Sequence, residues 1–241
     1  MFDHVTIRVS DLDSSARFYD TVLSTIGIER TSSEETLPEW DDWSIAQAAA
    51  GERVTRGLHV GFGAESHSRV DEFWRAGIEA GYDSDGEPGP RTEYGPDYYG
   101  GFLLDPDGNS VEAVHFEDVR PGVDHVWVRV ADVEASKRFY ETIAPHARFH
   151  LGKDLPERAQ FAADGPGTLS VLSGDRLTEA VHLAFPARAN EEVDDFHQAA
   201  IEASYRSNGE PGERPVYHPG YYGAYVLDPD GHNVELVSHN R

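Results

Sequence analysis

The chain has 241 residues, 44 acidic side chains against 20 basic ones, a formal charge of −24 and no cysteine. Such a charge argues against nucleic acid or an anionic membrane surface as partner, because both would repel it. Without thiols there is no disulfide frame, thiolate nucleophile or Cys-type zinc site, and with no long apolar run or signal-peptide pattern the expected location is the cytoplasm.

The first strand begins at once. Val5, Ile7 and Val9 alternate with His4, Thr6 and Arg8, a period-two pattern with one apolar face. Ser10-Asp11-Leu12-Asp13 then offers a capping side chain and first-turn acids. Ala16, Tyr19, Val22, Leu23 and Ile26 follow at helical spacing, and Gly27 ends the helix. Residues 31–52 are expected to hold short antiparallel strands and a long loop. A second unit opens with Leu58, Val60 and Phe62 alternating against His59 and Gly61, followed by a helix carrying Val70, Phe73, Trp74 and Ile78 and stopped by Gly81. Next come a turn at Gly86-Glu-Pro-Gly89, a strand over 98–104, a hairpin turn at 105–109 and a last strand over 110–116.

The second half repeats the first. Residues 3–23 and 124–144 are identical at 11 of 21 positions. Strand 126–130, helix 133–143, a cup-shaping loop over 150–167, strand 181–185, helix 193–203 and the turn at 228–231 follow in the same order. This predicts two domains, 1–118 and 122–241, at about 120 residues each within the usual size range. The fold class is α+β: four units of strand, helix and further strands, forming two curled mixed sheets with the helices outside. Helix-covered faces must be apolar, which sends Val5, Ile7, Val9, Val60 and Phe62 to the core and turns His4 and His59 to the open face. Each half carries two histidines and a glutamate: His4, His59 and Glu112, then His125, His182 and Glu235. Two imidazoles and a carboxylate can cap one face of an octahedral metal. A triad within each half is therefore the expectation.

Asp-His-Val at residues 3–5 and 124–126, Arg-Phe-Tyr on the first helix of each half, and Asp-Pro-Asp-Gly followed by Val-Glu near each end carry a resemblance. On these motifs the chain resembles the vicinal oxygen chelate superfamily, which includes glyoxalase I, extradiol dioxygenases and bleomycin-binding proteins. The resemblance spans both halves and implies tandem domains, each of two βαβββ units. It also implies that His4, His59, Glu112, His125, His182 and Glu235 are metal ligands. The fourth ligand of glyoxalase I, a Glu on the last strand of the first unit, has no counterpart near residues 44–50 or 168–172.

From Val216 the second half also resembles the extradiol dioxygenase signature, with His218 and Tyr225 ahead of Glu235. Gly95 and Phe102 stand at those positions in the first half. By this resemblance the centre in the second half is His125, His182 and Glu235, assisted by His218 and Tyr225 as catalytic residues. The further active-site His of that signature is absent from residues 164–174. The leading reading is a metal-dependent, dioxygenase-like enzyme. Its small substrate chelates the metal through vicinal oxygens, with Fe(II) favoured and Mn, Ni or Zn as alternatives. A glyoxalase-like lyase, isomerase or thiol transferase is the second reading, and a binding protein without turnover the third. Arg8 and Arg129, on the ligand side of their strands, are candidate contacts for an anionic substrate. The tyrosine pairs at 98–99 and 221–222 read as strand packing, with one member of each in the cup. The acidic clusters Glu34-Glu35, Asp41-Asp42 and 191–195 read as solvated surface. The halves are expected to pair within the chain, and a homodimer of chains is left open.

Overall fold

The computed structural model describes residues 1–32 and 36–240; Glu34 and Glu35 lie outside the described residues. The first unit consists of β1 (His4–Val9), α1 (Leu12–Leu23), β2 (Glu39–Trp40) and β3 (Trp43–Gln47). The second is β4 (His59–Gly63), α2 (His67–Glu79), β5 (Ser84–Pro90), β6 (Tyr99–Leu104) and β7 (Ser110–His115). The third comprises β8 (Val123–Arg129), α3 (Val133–Ala147), β9 (Phe149–Leu155), β10 (Arg158–Ala163) and β11 (Thr168–Leu172). The fourth is β12 (Val181–Ala187), α4 (Asn190–Glu202), β13 (Arg206–Glu213), β14 (Tyr221–Leu227) and β15 (Asn233–His239).

The helices form where the sequence places them. Asp11 caps α1 by accepting from the Ser14 amide, and Asp132 caps α3 by accepting from Ala135; such caps satisfy amides the helix leaves unpaired. After α1 a short 3₁₀ turn ends at Gly27, whose φ of 81° is left-handed. The apolar positions Val5, Ile7, Val9, Val60 and Phe62 are fully buried under the helices. The Arg-Phe-Tyr and Asp-Pro-Asp-Gly motifs meet in space. The Tyr19 hydroxyl on α1 donates to Asp105 at 3.0 Å, and Asp105 also accepts from the Asp107 and Asn109 amides of its own turn. Tyr140 and Asp228 repeat the contact at 3.4 Å. Each half thus ties its own two units together behind the sheets.

The sheets join the units differently. One runs β13-β14-β15-β12-β1-β3-β2, from units four and one; the other runs β5-β6-β7-β4-β8-β11-β10-β9, from units two and three. At the two joints β1 pairs antiparallel with β12 and β4 with β8. Neither half closes a sheet by itself. The connections that make this exchange clasp each other: Arg56 bridges Glu179, the Thr55 hydroxyl donates to the Ala180 carbonyl at 2.7 Å, and that of Thr178 to Gly57 at 2.9 Å.

Three local expectations change. Gly86-Glu-Pro-Gly89 is not a turn but lies within β5, an edge strand whose register shifts twice. Proline and bulges are tolerated there because an edge strand need not donate on its outer side. Residues 150–167 hold β9 and β10 rather than a loop. Asp42 is not plain solvated surface: its carboxylate accepts from the Val123 amide at 3.0 and 3.1 Å, fastening the start of β8 to the turn between β2 and β3. Burial pushes Asp42 up to about 6 despite that bond.

Candidate metal centres

The sheet joints decide which histidines meet. Thr6 lies opposite His182 across β1 and β12, and Gly61 opposite His125 across β4 and β8. The six sequence-predicted residues therefore gather as His4–His182–Glu235 and His59–Glu112–His125. His59 keeps Glu112 and His182 keeps Glu235, as expected, but the first-strand histidines change places. The cause is that β1 pairs with β12, not with β4.

In the second group the donor atoms form a near-equilateral triangle. His59 Nε2 stands 3.0 Å from His125 Nε2 and 3.1 Å from Glu112 Oε2, and His125 Nε2 is 3.2 Å from the same oxygen. In the first, His182 Nε2 is 3.1 Å from both His4 Nε2 and Glu235 Oε2, with His4 3.7 Å from that oxygen. Ligands about 2.1 Å from a metal and at right angles stand roughly 3.0 Å apart. Both triangles, most closely the second, fit one face of an octahedral divalent ion.

Every outer atom of the ligand set is held. His4 Nδ1 is 2.9 Å from Asp3, and His125 Nδ1 is 2.8 Å from Asp124; each Nδ1–H donates to its carboxylate, which leaves the Nε2 lone pair aimed inward. His59 Nδ1 lies 3.0 Å from the Ser110 hydroxyl, itself donating to Asp85. His182 Nδ1 meets the Asn233 amide at 2.6 Å. The Tyr98 hydroxyl donates to Glu112 Oε1 at 2.9 Å and Tyr221 to Glu235 Oε1 at 2.7 Å. Tyr98 and Tyr221 are the members of their pairs that line the cups. No contact with the glutamates is expected of them from sequence; the signal for it is their shared spacing of fourteen residues before each one. Both glutamates lie almost fully buried across a glycine: a Cβ on Gly100 would stand 2.3 Å from Glu112 Oε1, and one on Gly223 2.6 Å from Glu235 Oε1.

The electrostatics are those of a cation site. Burial works to raise Glu112, but hydrogen bonds from His125 and His59 outweigh it and hold the carboxyl at about 2. Burial likewise opposes charge on His125, yet Asp124 and Glu112 raise it to about 9, while burial lowers His59. In the other group burial is again overcome by Asp3 and Glu235 at His4, which is raised, and burial lowers His182. In each group the buried carboxylate thus favours positive charge at one neighbouring histidine, the kind of charge a divalent ion would supply in its place.

The cups around the triangles differ. His218 and Tyr225 both line the cup of His4, His182 and Glu235. Tyr225 lies opposite Glu235 across β14 and β15, its ring 6.2 Å from that of His182. His218 Nδ1 meets the Pro219 carbonyl at 2.8 Å, and its Nε2 lies 2.8 Å from His239 Nδ1. His239 Nε2 reaches Asp3 at 2.9 Å, and the other Asp3 oxygen holds His4. A chain of side chains runs from the cup to a ligand histidine. Both of its ends are acceptors, so filling the three bonds along the two rings takes three ring protons. Two neutral imidazoles carry two, and the pair is complete only with an extra proton. Gly95, Phe102 and Phe116 stand at the corresponding places in the other cup.

Neither predicted arginine is a free rim cation. Arg8 lines its cup but pairs with Glu52 at 3.1 Å, and Arg129 donates to the Gly57 carbonyl at 3.0 Å across the clasp. Ser44 and Ser170 occupy β3 and β11 opposite Thr6 and Trp127, so neither strand adds an acid to its triad.

A family model, the Glyoxalase/Bleomycin resistance protein/Dioxygenase superfamily, matches residues 1–113 and 122–236. The chain belongs to this superfamily. Among solved structures, superfamily architecture recurs in glyoxalase I from Zea mays, 20% identical, with a TM-score of 0.69 over 99% of this chain and 92% of that one. A candidate dioxygenase from Bacillus subtilis subsp. subtilis str. 168 is 12% identical, with a TM-score of 0.67 over 100% of this chain and 85% of that one. At these identities the likeness shows the fold alone. No curated protein matches the chain. Among the described residues no helix is long and apolar enough to cross a membrane.

Proposed function

We propose that the chain is a metal-dependent superfamily enzyme that holds a small substrate through two adjacent oxygens, with dioxygenase-like chemistry at the His4–His182–Glu235 centre. The observation that supports it best is the triangle of donors, whose edges fit a three-ligand divalent site and which, among the described residues, groups with no fourth carboxylate. A divalent ion there, Fe(II) first and Mn, Ni or Zn otherwise, would polarise two substrate oxygens and lower their pKa. The chain's own residues supply the rest. Tyr221 fixes Glu235, Asp3 fixes His4, and Tyr225 offers a hydroxyl that burial and the nearby Glu235 keep protonated. His218, its ring held between Pro219 and His239, stands in the cup wall where it can steady developing negative charge, and His239 ties it to Asp3.

A second reading rests on the other cup. Its triangle is complete without counterparts of His218, His239 or Tyr225, which favours a lyase or isomerase chemistry that needs only polarised oxygens.

The test is metal content of anaerobically purified protein, counted per chain. Two equivalents are expected. His4→Ala and His182→Ala should each remove the same one, and His59→Ala the other. Iron together with oxygen-dependent turnover supports the first reading; anaerobic turnover with nickel, zinc or manganese supports the second. A folded, metal-exposed chain that takes up none overturns both.

A further inference from the structure

In this strongly acidic chain, where carboxylates outnumber cations by two to one, the half-buried guanidinium of Arg158, at the start of β10, has no carboxylate within ion-pair distance among the described residues. Arg91, Arg129 and Arg214 share that state, but Arg158 is the one of the four that lines a cup, that of His59, Glu112 and His125. Its Nε and one terminal nitrogen donate to the Ser170 hydroxyl at 3.1 and 2.9 Å, and its carbon centre lies 4.7 Å over the Trp127 ring. Those contacts orient the group without neutralising it. They also leave Nη1 free of any protein acceptor among the described residues. Lys153 lines the same cup, also without an ion pair among the described residues. The cup holds about 780 Å³, and Trp127 connects Arg158 to the candidate metal centre, since its ring lies 4.6 Å from that of His59. Two contacts in series from guanidinium to ligand ring is the reach of one small molecule.

The other cup lacks this feature. Gln160 pairs with Ser170 as Glu39 pairs with Ser44, and Trp127 with Ser170 as Thr6 with Ser44. By that register Leu37 takes the address of Arg158, and an acid, Glu39, takes that of Gln160. The same fold position is cationic in one cup and apolar beside an acid in the other.

We propose that the His59–Glu112–His125 cup selects a carboxylic acid whose other end carries two adjacent oxygens, and that Arg158 is the residue that binds the carboxylate. Planar guanidinium edges suit a planar two-oxygen anion, and such charge-assisted bonds are the strong ones. The half-buried setting reduces the screening an exposed cation would suffer. The assignment rests on the metal reading of that centre, since the two oxygens need a partner there.

The experiment uses full-length protein carrying His182→Ala, loaded with Mn(II), so that only the His59 centre is filled. Binding of catechol and of 3,4-dihydroxybenzoate is compared by calorimetry; the probes share the oxygen pair and differ in the carboxylate. We expect the benzoate to bind roughly tenfold or more tightly, at one equivalent per chain. Arg158→Leu should abolish that preference and leave catechol binding and metal content unchanged, while Arg158→Lys keeps part of it. Metal uptake with equal binding of the two probes, with binding of neither, or with a preference that survives Arg158→Leu, overturns the Arg158 assignment alone. No metal uptake at the His59 centre overturns the metal reading and the assignment with it.

Discussion

Asn109 and His232 occupy the same place in their Asp-Pro-Asp-Gly turns, and the substitution is costly. Asn109 accepts from the Leu58 amide and donates to the Thr55 carbonyl and to Asp105. His232 accepts a long 3.4 Å bond from Val181, and its buried Nε2 has no partner among the described residues. Burial pushes His232 down to about 4, against Asp230, which favours its charge. A folded value below the unfolded one means that the stability carried by the neutral ring is present above about pH 6.5 and lost as pH falls toward 4. Neighbouring Asp228, raised to about 7 by burial, runs the opposite way and loses stability as pH rises. His232→Asn should therefore stabilise by about 1 kcal/mol at neutral pH. Its advantage over the parent should widen by about 2 kcal/mol near pH 5. Melting curves of both proteins across that range check this, and a constant gap would refute the assignment. Tyr221→Phe probes the ligand set at the same scale. Losing the bond to Glu235 should weaken metal binding at the His4 centre by about tenfold or more and leave the His59 centre unchanged, read by competitive metal titration.

Strands place these side chains, and glycine decides how closely they approach. A Cβ at Gly61 on β4 would stand 2.1 Å from the His125 ring, so the ligand of one half lies over the bare backbone of the other. Gly61→Val should displace that ring, cost about 1–3 kcal/mol by overpacking, and empty the His59 centre. The His4 centre, where Ala184 already faces His4, should keep its metal. Metal analysis of the variant decides it; retention of both equivalents would mean that β4 and β8 give way. The bulged edge strands β5 and β13 show why element-level reading stopped short. Their glycine and proline pairs look like turns in sequence, and only the neighbouring strands β6 and β14 reveal them as irregular edges.

At the scale of the molecule, each candidate centre draws two donors from one half and the third from the other. We propose that the halves 1–118 and 122–241 are domains held by their own helix pairs, with both cups between them. Cutting the linker within residues 119–121 and separating the halves should abolish both centres, and mixing the halves should restore them. A monomeric half that binds metal through three side chains would count against this.

The sequence by itself determined the repeat, the strand and helix order, the apolar faces and all six candidate ligands, because alternation and helical spacing fix which way each side chain points. The resemblance to the extradiol signature placed His218 and Tyr225 with Glu235, whose cup they line. The sequence did not determine which first-strand histidine joins which glutamate. β4 and β12 are copies of one strand pattern, and β1 is equally complementary to either, so local periodicity is silent on the choice. The crossing of residues 55–57 with 178–180, a contact between segments more than a hundred residues apart, is made only in the tertiary structure. There β1 is carried to β12, and two triads written in sequence order become two triads shared across the halves.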